Sequence, residues 1–304
     1  MSNPEISTHT TCFGKALPAL QKGSKAGYRT VGPSGKTTAN ATEPRMLLST
    51  FVDELLNLAN NHLEKYKDLP QSKRTISTVF PHLPLDSEND VVNASLIYIF
   101  LPIMETLRLW YEDQLTMHTE VTHKAEIKME QLLRDKEAPK EAVIRCDLVF
   151  KSTEKSAKGP GKTIAVVEYK RRNMLAYKDF HGAILPEGAS KEQRNSMDEE
   201  LGEARKKTFL DRNGIPYSKQ AAQYAKTTNC KHVALFDWEN LVLLNFKELN
   251  AGEDSVYTAG KEADISWVSE RQQPTRKFVQ WMPIRKVFLG WMIRSITDFE
   301  NSME

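Results

Sequence analysis

The sequence predicts an α/β fold: a mixed sheet flanked by helices, with helical additions at both ends. Three observations carry that expectation. Val143 to Phe150 and Thr163 to Lys170 are short runs rich in β-branched residues, separated by Gly159-Pro160-Gly161, turn punctuation suited to an antiparallel pair. Tyr217 to Thr228 reads as a helix ending at Asn229, and strand composition resumes over Lys231 to Trp238. Ile284, Val287, Phe288, Trp291, Ile296 and Phe299 recur at helical spacing, so a C-terminal helix is expected to close the core.

Taken in order, residues 1–44 are rich in Ser, Thr, Gly, Pro and Asn without apolar periodicity, and predict a flexible basic tail. Lys15, Lys22, Lys25, Arg29, Lys36 and the bordering Arg45 against Glu5 and Glu43 give it a charge of +4. Residues 45–304 are expected to form a single domain. From Met46, the residues Leu47, Leu48, Phe51, Leu55 and Leu58 predict a helix that stops at Asn60–Asn61. A second helix is expected from about Asp90 to Glu112, bent where Pro102 lacks an amide proton. Leu115 to Thr122 suits a strand and Ala125 to Leu133 a short helix. The polar stretch 171–216 predicts a lid or insertion with a charged helix around Ser190 to Arg212. Leu241 to Phe246 pairs with Lys231 to Trp238 as a hairpin across Glu239–Asn240.

Composition excludes several classes. Of 304 residues, 42 are Lys or Arg and 40 Asp or Glu, a net charge of +2, so affinity through bulk positive charge is excluded. Hydrophobic residues at 40% are enough for a sizeable core. The apolar run Leu96 to Met104 is too short to span a bilayer, and no hydrophobic signal core follows Met1. Cys12, Cys146 and Cys230 are odd in number and lack metal spacing, which fits a reducing, intracellular setting without a disulfide framework. Gly35-Lys36-Thr37 and Gly161-Lys162-Thr163 imitate the end of a phosphate loop. Such a loop needs a glycine where Thr30 and Ser156 stand, so a nucleotide-binding ATPase is excluded. The tryptophans Trp267, Trp281 and Trp291 are expected in the core, and Asp237-Trp238-Glu239-Asn240 reads as turn chemistry.

The informative constellation begins at Asp147, inside the apolar run Arg145 to Phe150, where a carboxylate is costly unless paired or bound to a cation. In Ile164 to Lys170, alternate residues share a face, so Glu168 and Lys170 point together. If the two strands pair, Asp147 lies beside Glu168, and two converging carboxylates suit Mg²⁺ or Mn²⁺. A lysine there can orient a water and stabilise charge developing on a phosphate. Gln220 and Tyr224, four apart, share one face of the following helix.

These residues, in this order, resemble the PD-(D/E)XK nuclease superfamily over roughly residues 85 to 250. Gln220-Ala221-Ala222-Gln223-Tyr224 is similar to the QxxxY element of its RecB-like branch, and the whole run looks like fungal PD-(D/E)XK nuclease-like proteins. The resemblance implies a restriction-endonuclease-like αβββαβ core. It implies Asp147, Glu168 and the Tyr169 carbonyl as ligands of Mg²⁺ or Mn²⁺, Lys170 positioning the attacking water, Gln220 supporting the site, and Tyr224 against the substrate backbone. Cys146 stands where the family often has proline. The family's first-helix acid has three candidates, Glu88, Asp90 and Glu105, and the long 171–216 stretch departs from the usual spacing.

Charge is concentrated beside this constellation. Residues 151–178 hold Lys151, Lys155, Lys158, Lys162, Lys170, Arg171, Arg172 and Lys178 against Glu154 and Glu168, a net of +6. Lys162, Arg171 and Arg172 are therefore expected to track a phosphate backbone, each neutralised phosphate steepening the log–log salt slope by about 0.9 on duplex DNA. The expected function is metal-dependent hydrolysis of DNA phosphodiester bonds, with RNA as the second candidate partner, no membrane role, and a nuclear location inferred from a DNA substrate. The rival expectation is a catalytically weak or inactive nuclease-fold module that binds nucleic acid or protein.

Overall fold

The computed structural model describes residues 6–22, 27–31, 43–50, 52–77, 84–111, 115–124, 143–152, 161–247, 262–269 and 280–302. The N-terminal half contributes β1 (Ile6–Thr8), the single turn α1 (His9–Cys12), β2 (Gln21–Lys22), β3 (Met46–Ser49) and α2 (Asp53–Tyr66). β4 (Thr75–Ser77) and β5 (Pro84–Leu85) pair with β1 and β2. Then come α3 (Glu88–Ser95), a π turn at Leu96–Phe100, α4 (Leu101–Tyr111) and β6 (Leu115–Lys124). β7 (Val143–Ser152) and β8 (Thr163–Tyr169) follow, then α5 (Lys178–His181), β9 (Ile184–Leu185), α6 (Lys191–Glu203) and α7 (Gly214–Thr228). β10 (His232–Phe236), β11 (Asn240–Asn245), β12 (Glu262–Ser269), β13 (Gln280–Trp281) and α8 (Ile284–Asn301) complete the order.

One mixed sheet runs β6-β7-β8-β10-β11-β12-β3-β9, with β13 beside β12. β7 pairs antiparallel with β6 and β8, while β8 and β10 are parallel and joined through α7. Helices cover both faces. On one face α2, α3, α4 and α8 enclose Leu148, Phe150, Val167, Ala234 and Phe236. Phe288 there meets Phe100 and Phe236 edge-on at 5.1 and 5.5 Å, contacts worth about 0.5–1.5 kcal/mol each beyond area burial. On the other face α7 lays Tyr217, Ala221, Ala222, Tyr224 and Ala225 against Val166, Val233 and Leu235. The alanines let the helix backbone approach the strands closely.

Several expected elements stand where the sequence put them. The β7–β8 hairpin forms, and Gly161 is required at its mouth: a Cβ there would lie 1.7 Å from the Ser152 carbonyl oxygen. Asn229 ends α7 in the left-handed conformation at φ 49°. Asp237 accepts hydrogen bonds from the Leu175, Glu239 and Asn240 amides and so builds the β10–β11 turn. Trp267 and Trp291 are buried. At Pro102 the π turn just before it absorbs the missing amide, with Leu101 N–H reaching back to Leu96. Glu88–Arg108 is long and apolar enough to cross a bilayer by composition, and here Tyr98, Ile99, Phe100, Ile103 and Leu107 are packed into the core.

Other expectations need correction. Met46–Ser49 is a strand rather than a helix, because Met46 and Leu47 are buried between β12 and β9. Short apolar runs do not distinguish the two by periodicity. The helix starts at Asp53 and passes Asn60–Asn61, which face solvent while Ala59, His62, Leu63 and Tyr66 turn inward. β12 adds a strand beyond those the sequence pattern predicts. The loose tail is also corrected for residues 6–22: Phe13, Leu17 and Leu20 enter the core, and Arg285 grips the Cys12 and Ala16 carbonyls. Within 171–216, Met174, Leu175, Tyr177 and Phe180 are core residues and Ile184–Leu185 adds a strand, so most of that segment is no lid. The helix expected over 125–133 and the loop 153–160 lie outside the described residues.

Candidate active site

The site forms where β7 and β8 part company. Their ladder reaches Leu148 opposite Val167; one residue on, the Asp147 side chain replaces the next backbone acceptor, taking the Tyr169 N–H on Oδ2 at 2.9 Å. The same register sets Asp147 beside Glu168, and strand alternation turns Glu168 and Lys170 toward α7. Lys170 donates to Glu168 Oε1 at 2.5 Å, and Gln220 Nε2 donates to that same oxygen at 2.6 Å. Gln220 is steadied from behind by Tyr224: their side chains meet at 2.6 Å, and the phenol donates onward to the Arg145 carbonyl at 3.1 Å.

Electrostatics make this cluster short of positive charge. Glu168 is 3% exposed, and burial pushes its carboxyl up to about 8; Lys170 pulls it down, while Asp147 and Glu88 push it further up. For Lys170, burial alone would lower the pKa, yet Glu168, Glu88 and Asp147 together hold the ammonium above its ordinary value. Three carboxylates therefore surround one lysine. Glu168 Oε2 is buried without a hydrogen-bond partner. That orphaned oxygen, the Asp147 carboxylate and the Tyr169 carbonyl are hard oxygen donors of the type Mg²⁺ and Mn²⁺ select. The residues present fit such an ion, although among the described residues no group of three or more His, Cys, Asp or Glu side chains stands close enough to hold a metal by itself.

The three candidate acids Glu88, Asp90 and Glu105 occupy different surroundings. Glu88 opens α3 within electrostatic range of Lys170, Asp147 and Arg145; partial desolvation and Asp147 raise its pKa, and Lys170 and Arg145 lower it. The residue as a whole remains exposed to solvent at the head of α3. Asp90 is spent on the Ser87 capping box, and Glu105 pairs with Arg74 at 2.9 Å. Sequence reasoning missed Tyr217, whose ring lies under the Lys170 ammonium at 5.1 Å from its centroid. Its place one turn before Gln220 on α7 was the available signal.

The expected phosphate contacts divide. Lys162 is exposed at the hairpin mouth. Arg171 is half-buried, its Nη2 3.3 Å from the Gly27 carbonyl. Arg172 does not join the site: it is buried, with Nε 2.6 Å from Glu239 Oε1 and Nη1 2.8 Å from the Leu20 carbonyl. Tyr224 is likewise buried as a strut behind Gln220. Compared with known proteins, the chain matches no family model and no curated protein.

Proposed function

We propose that this protein is a metal-dependent nuclease that hydrolyses phosphodiester bonds of DNA. The observation that carries the reading is the meeting of Asp147, Glu168, Lys170 and Gln220 at one strand end, with Glu168 Oε2 left unpartnered. The succession α3–α4, β6, β7, β8, α7, β10 supports a restriction-endonuclease-like core, in keeping with the PD-(D/E)XK resemblance.

Mg²⁺ or Mn²⁺, when bound, would supply Lewis-acid stabilisation of the phosphate and acidify water. Asp147 and Glu168 would hold it, with the Tyr169 carbonyl. Lys170 keeps its proton and offers a fixed positive charge to a phosphate oxygen and to the attacking water. Gln220 holds the Glu168 carboxylate in one orientation, so that Oε1 is occupied while the buried Oε2 is left for an ion. Glu88 adds a carboxylate at the open edge, where it can accept a water proton.

A second reading has its own support. Glu168 Oε1 already satisfies both Lys170 and Gln220 internally, as it would in a nuclease-fold module that binds without cutting. Incubating the purified chain with single- and double-stranded DNA and with RNA, in Mg²⁺, Mn²⁺ or EDTA, separates the two. The nuclease reading expects cleavage that EDTA stops and that Glu168→Ala and Lys170→Ala abolish. Binding without turnover in every metal would establish the module, and cleavage surviving both substitutions would overturn the site.

A further inference from the structure

We infer that Gly27–Val31, with Glu43, forms an autoinhibitory strap that engages the cations beside the Asp147–Glu168–Lys170 cluster until a nucleic-acid backbone displaces it. The inference rests on the nuclease reading, since it requires a polyanionic substrate.

The strap meets each flanking cation differently. Arg171 gives Nη2 to the Gly27 carbonyl at 3.3 Å and to the Met174 sulfur at 3.7 Å, while its Nε is buried without a partner. A guanidinium fork used on one prong only is poorly satisfied; a phosphate would take Nε and Nη2 together. The Lys178 ammonium stands over the Tyr28 ring at 4.8 Å. Lys219, adjacent to Gln220, pairs with Glu43 at 3.2 Å. A carbonyl, an aromatic face and a carboxylate thus occupy cations that phosphates would otherwise meet.

Tyr28 ties the strap to the site. Its hydroxyl donates to Asp179 Oδ2 at 2.8 Å, and it lies within electrostatic range of Tyr217, the ring beneath Lys170. Asn213 holds the backbone on both sides, accepting from the Val31 amide at 2.8 Å and donating to the Arg29 carbonyl at 2.7 Å.

The contacts that hold the strap are polar ones, whereas the residues before it are anchored permanently. Phe13, Leu17 and Leu20 are buried in the core, and Arg172 fastens the Leu20 carbonyl. Gly27, Arg29, Thr30, Val31 and Lys178 are all exposed. The Arg171–Gly27 hydrogen bond is exposed and the Tyr28 and Asn213 bonds are part-buried; such bonds give way to charge-assisted bonds to phosphate, which also release counterions.

The test uses the full chain carrying Tyr28→Ala with Glu43→Gln, in EDTA so that nothing is cut. Fluorescence anisotropy is read with a short labelled single strand and its duplex at several salt concentrations. The strap predicts about tenfold tighter binding than wild type and a steeper salt slope by roughly one or two phosphate contacts. Adding Arg171→Met should cancel much of the gain, with melting temperatures confirming that each variant folds. Equal or weaker binding by a folded double variant overturns the strap. If the wild type cuts DNA in Mn²⁺ while the double variant gains nothing, the strap fails and the nuclease reading stands. If neither form binds or cuts, both fall.

Discussion

Gln220 reaches from α7 to Glu168 at the end of β8 and bonds the oxygen that Lys170 also holds, 2.6 Å away, leaving the other oxygen unclaimed. An amide in that position fixes a carboxylate's rotation without neutralising it. Removing such an outer partner typically costs about 10–100-fold in metal affinity or activity. Gln220→Ala is therefore expected to lower Mn²⁺-dependent cleavage by that factor while the protein still folds. Steady-state rates against metal concentration check it, and an unchanged metal dependence would refute the assignment.

The raised Glu168 pKa has a defined sign. Its folded value of about 8 lies above the ordinary 4.5, so the folded state binds the proton more tightly than the unfolded chain. The contribution of this group is fully present below about 4.5 and is lost as pH rises toward 8. A divalent ion at Oε2 reverses that loss by favouring the charged form. Thermal melts should show Mn²⁺ stabilising the protein more at pH 8 than at pH 6, and Glu168→Gln should remove most of that difference.

Tyr217 supports Lys170 through its ring face rather than its hydroxyl. Tyr217→Phe should cleave nearly as well as wild type, whereas Tyr217→Leu should lose roughly tenfold in kcat with little change in KM. Equal losses in the two variants would point to the hydroxyl instead.

Arg172 and Glu239 form a buried pair, each about 5% exposed. Taking away one partner strands a charge in the interior, at a cost of about 3–5 kcal/mol. Arg172→Ala should accordingly shift the urea midpoint strongly and leave the nucleic-acid affinity of the folded fraction unchanged. A pure loss of affinity with normal stability would restore Arg172 to the substrate path.

Gly290 lets α8 pack closely against α2: a Cβ there would fall 1.8 Å from the Leu55 carbonyl oxygen. Gly290→Ala is expected to destabilise the fold by about 1–3 kcal/mol through overpacking, measured as a drop in melting temperature.

The candidate site was legible because its residues interrupt otherwise apolar runs. Asp147 and Glu168 each sit among buried valines and leucines, and Gln220 and Tyr224 keep helical spacing. Two central strands were harder to read for a related reason. β3 and β12 pair across more than two hundred residues, and β12 is buried along nearly its whole length, so neither carries a clean alternation. The N-terminal segment reads as loose because its Ser and Thr content hides Phe13, Leu17 and Leu20, whose burial depends on helices far along the chain. Nor could local sequence separate Arg172 from Arg171. The difference arises from Glu239, brought in by the β10–β11 turn. Among Glu88, Asp90 and Glu105, only the tertiary arrangement distinguishes the acid facing Lys170 from a cap and a surface pair.

The grip of Arg285 on the Cys12 carbonyl has a consequence for how the chain reaches this state. The Cys12 carbonyl accepts the nearby Lys15 amide locally, but its charged partner is synthesised 273 positions later. Closure over such a separation is slow, since loop entropy is lost before the contact rewards it. During translation Phe13 and Leu17 therefore emerge without their final partners, exposed to chaperones and to neighbouring chains. The last step of assembly is expected to be the docking of α8 onto the N-terminal segment, which makes this seam the place where a refolding protein pauses.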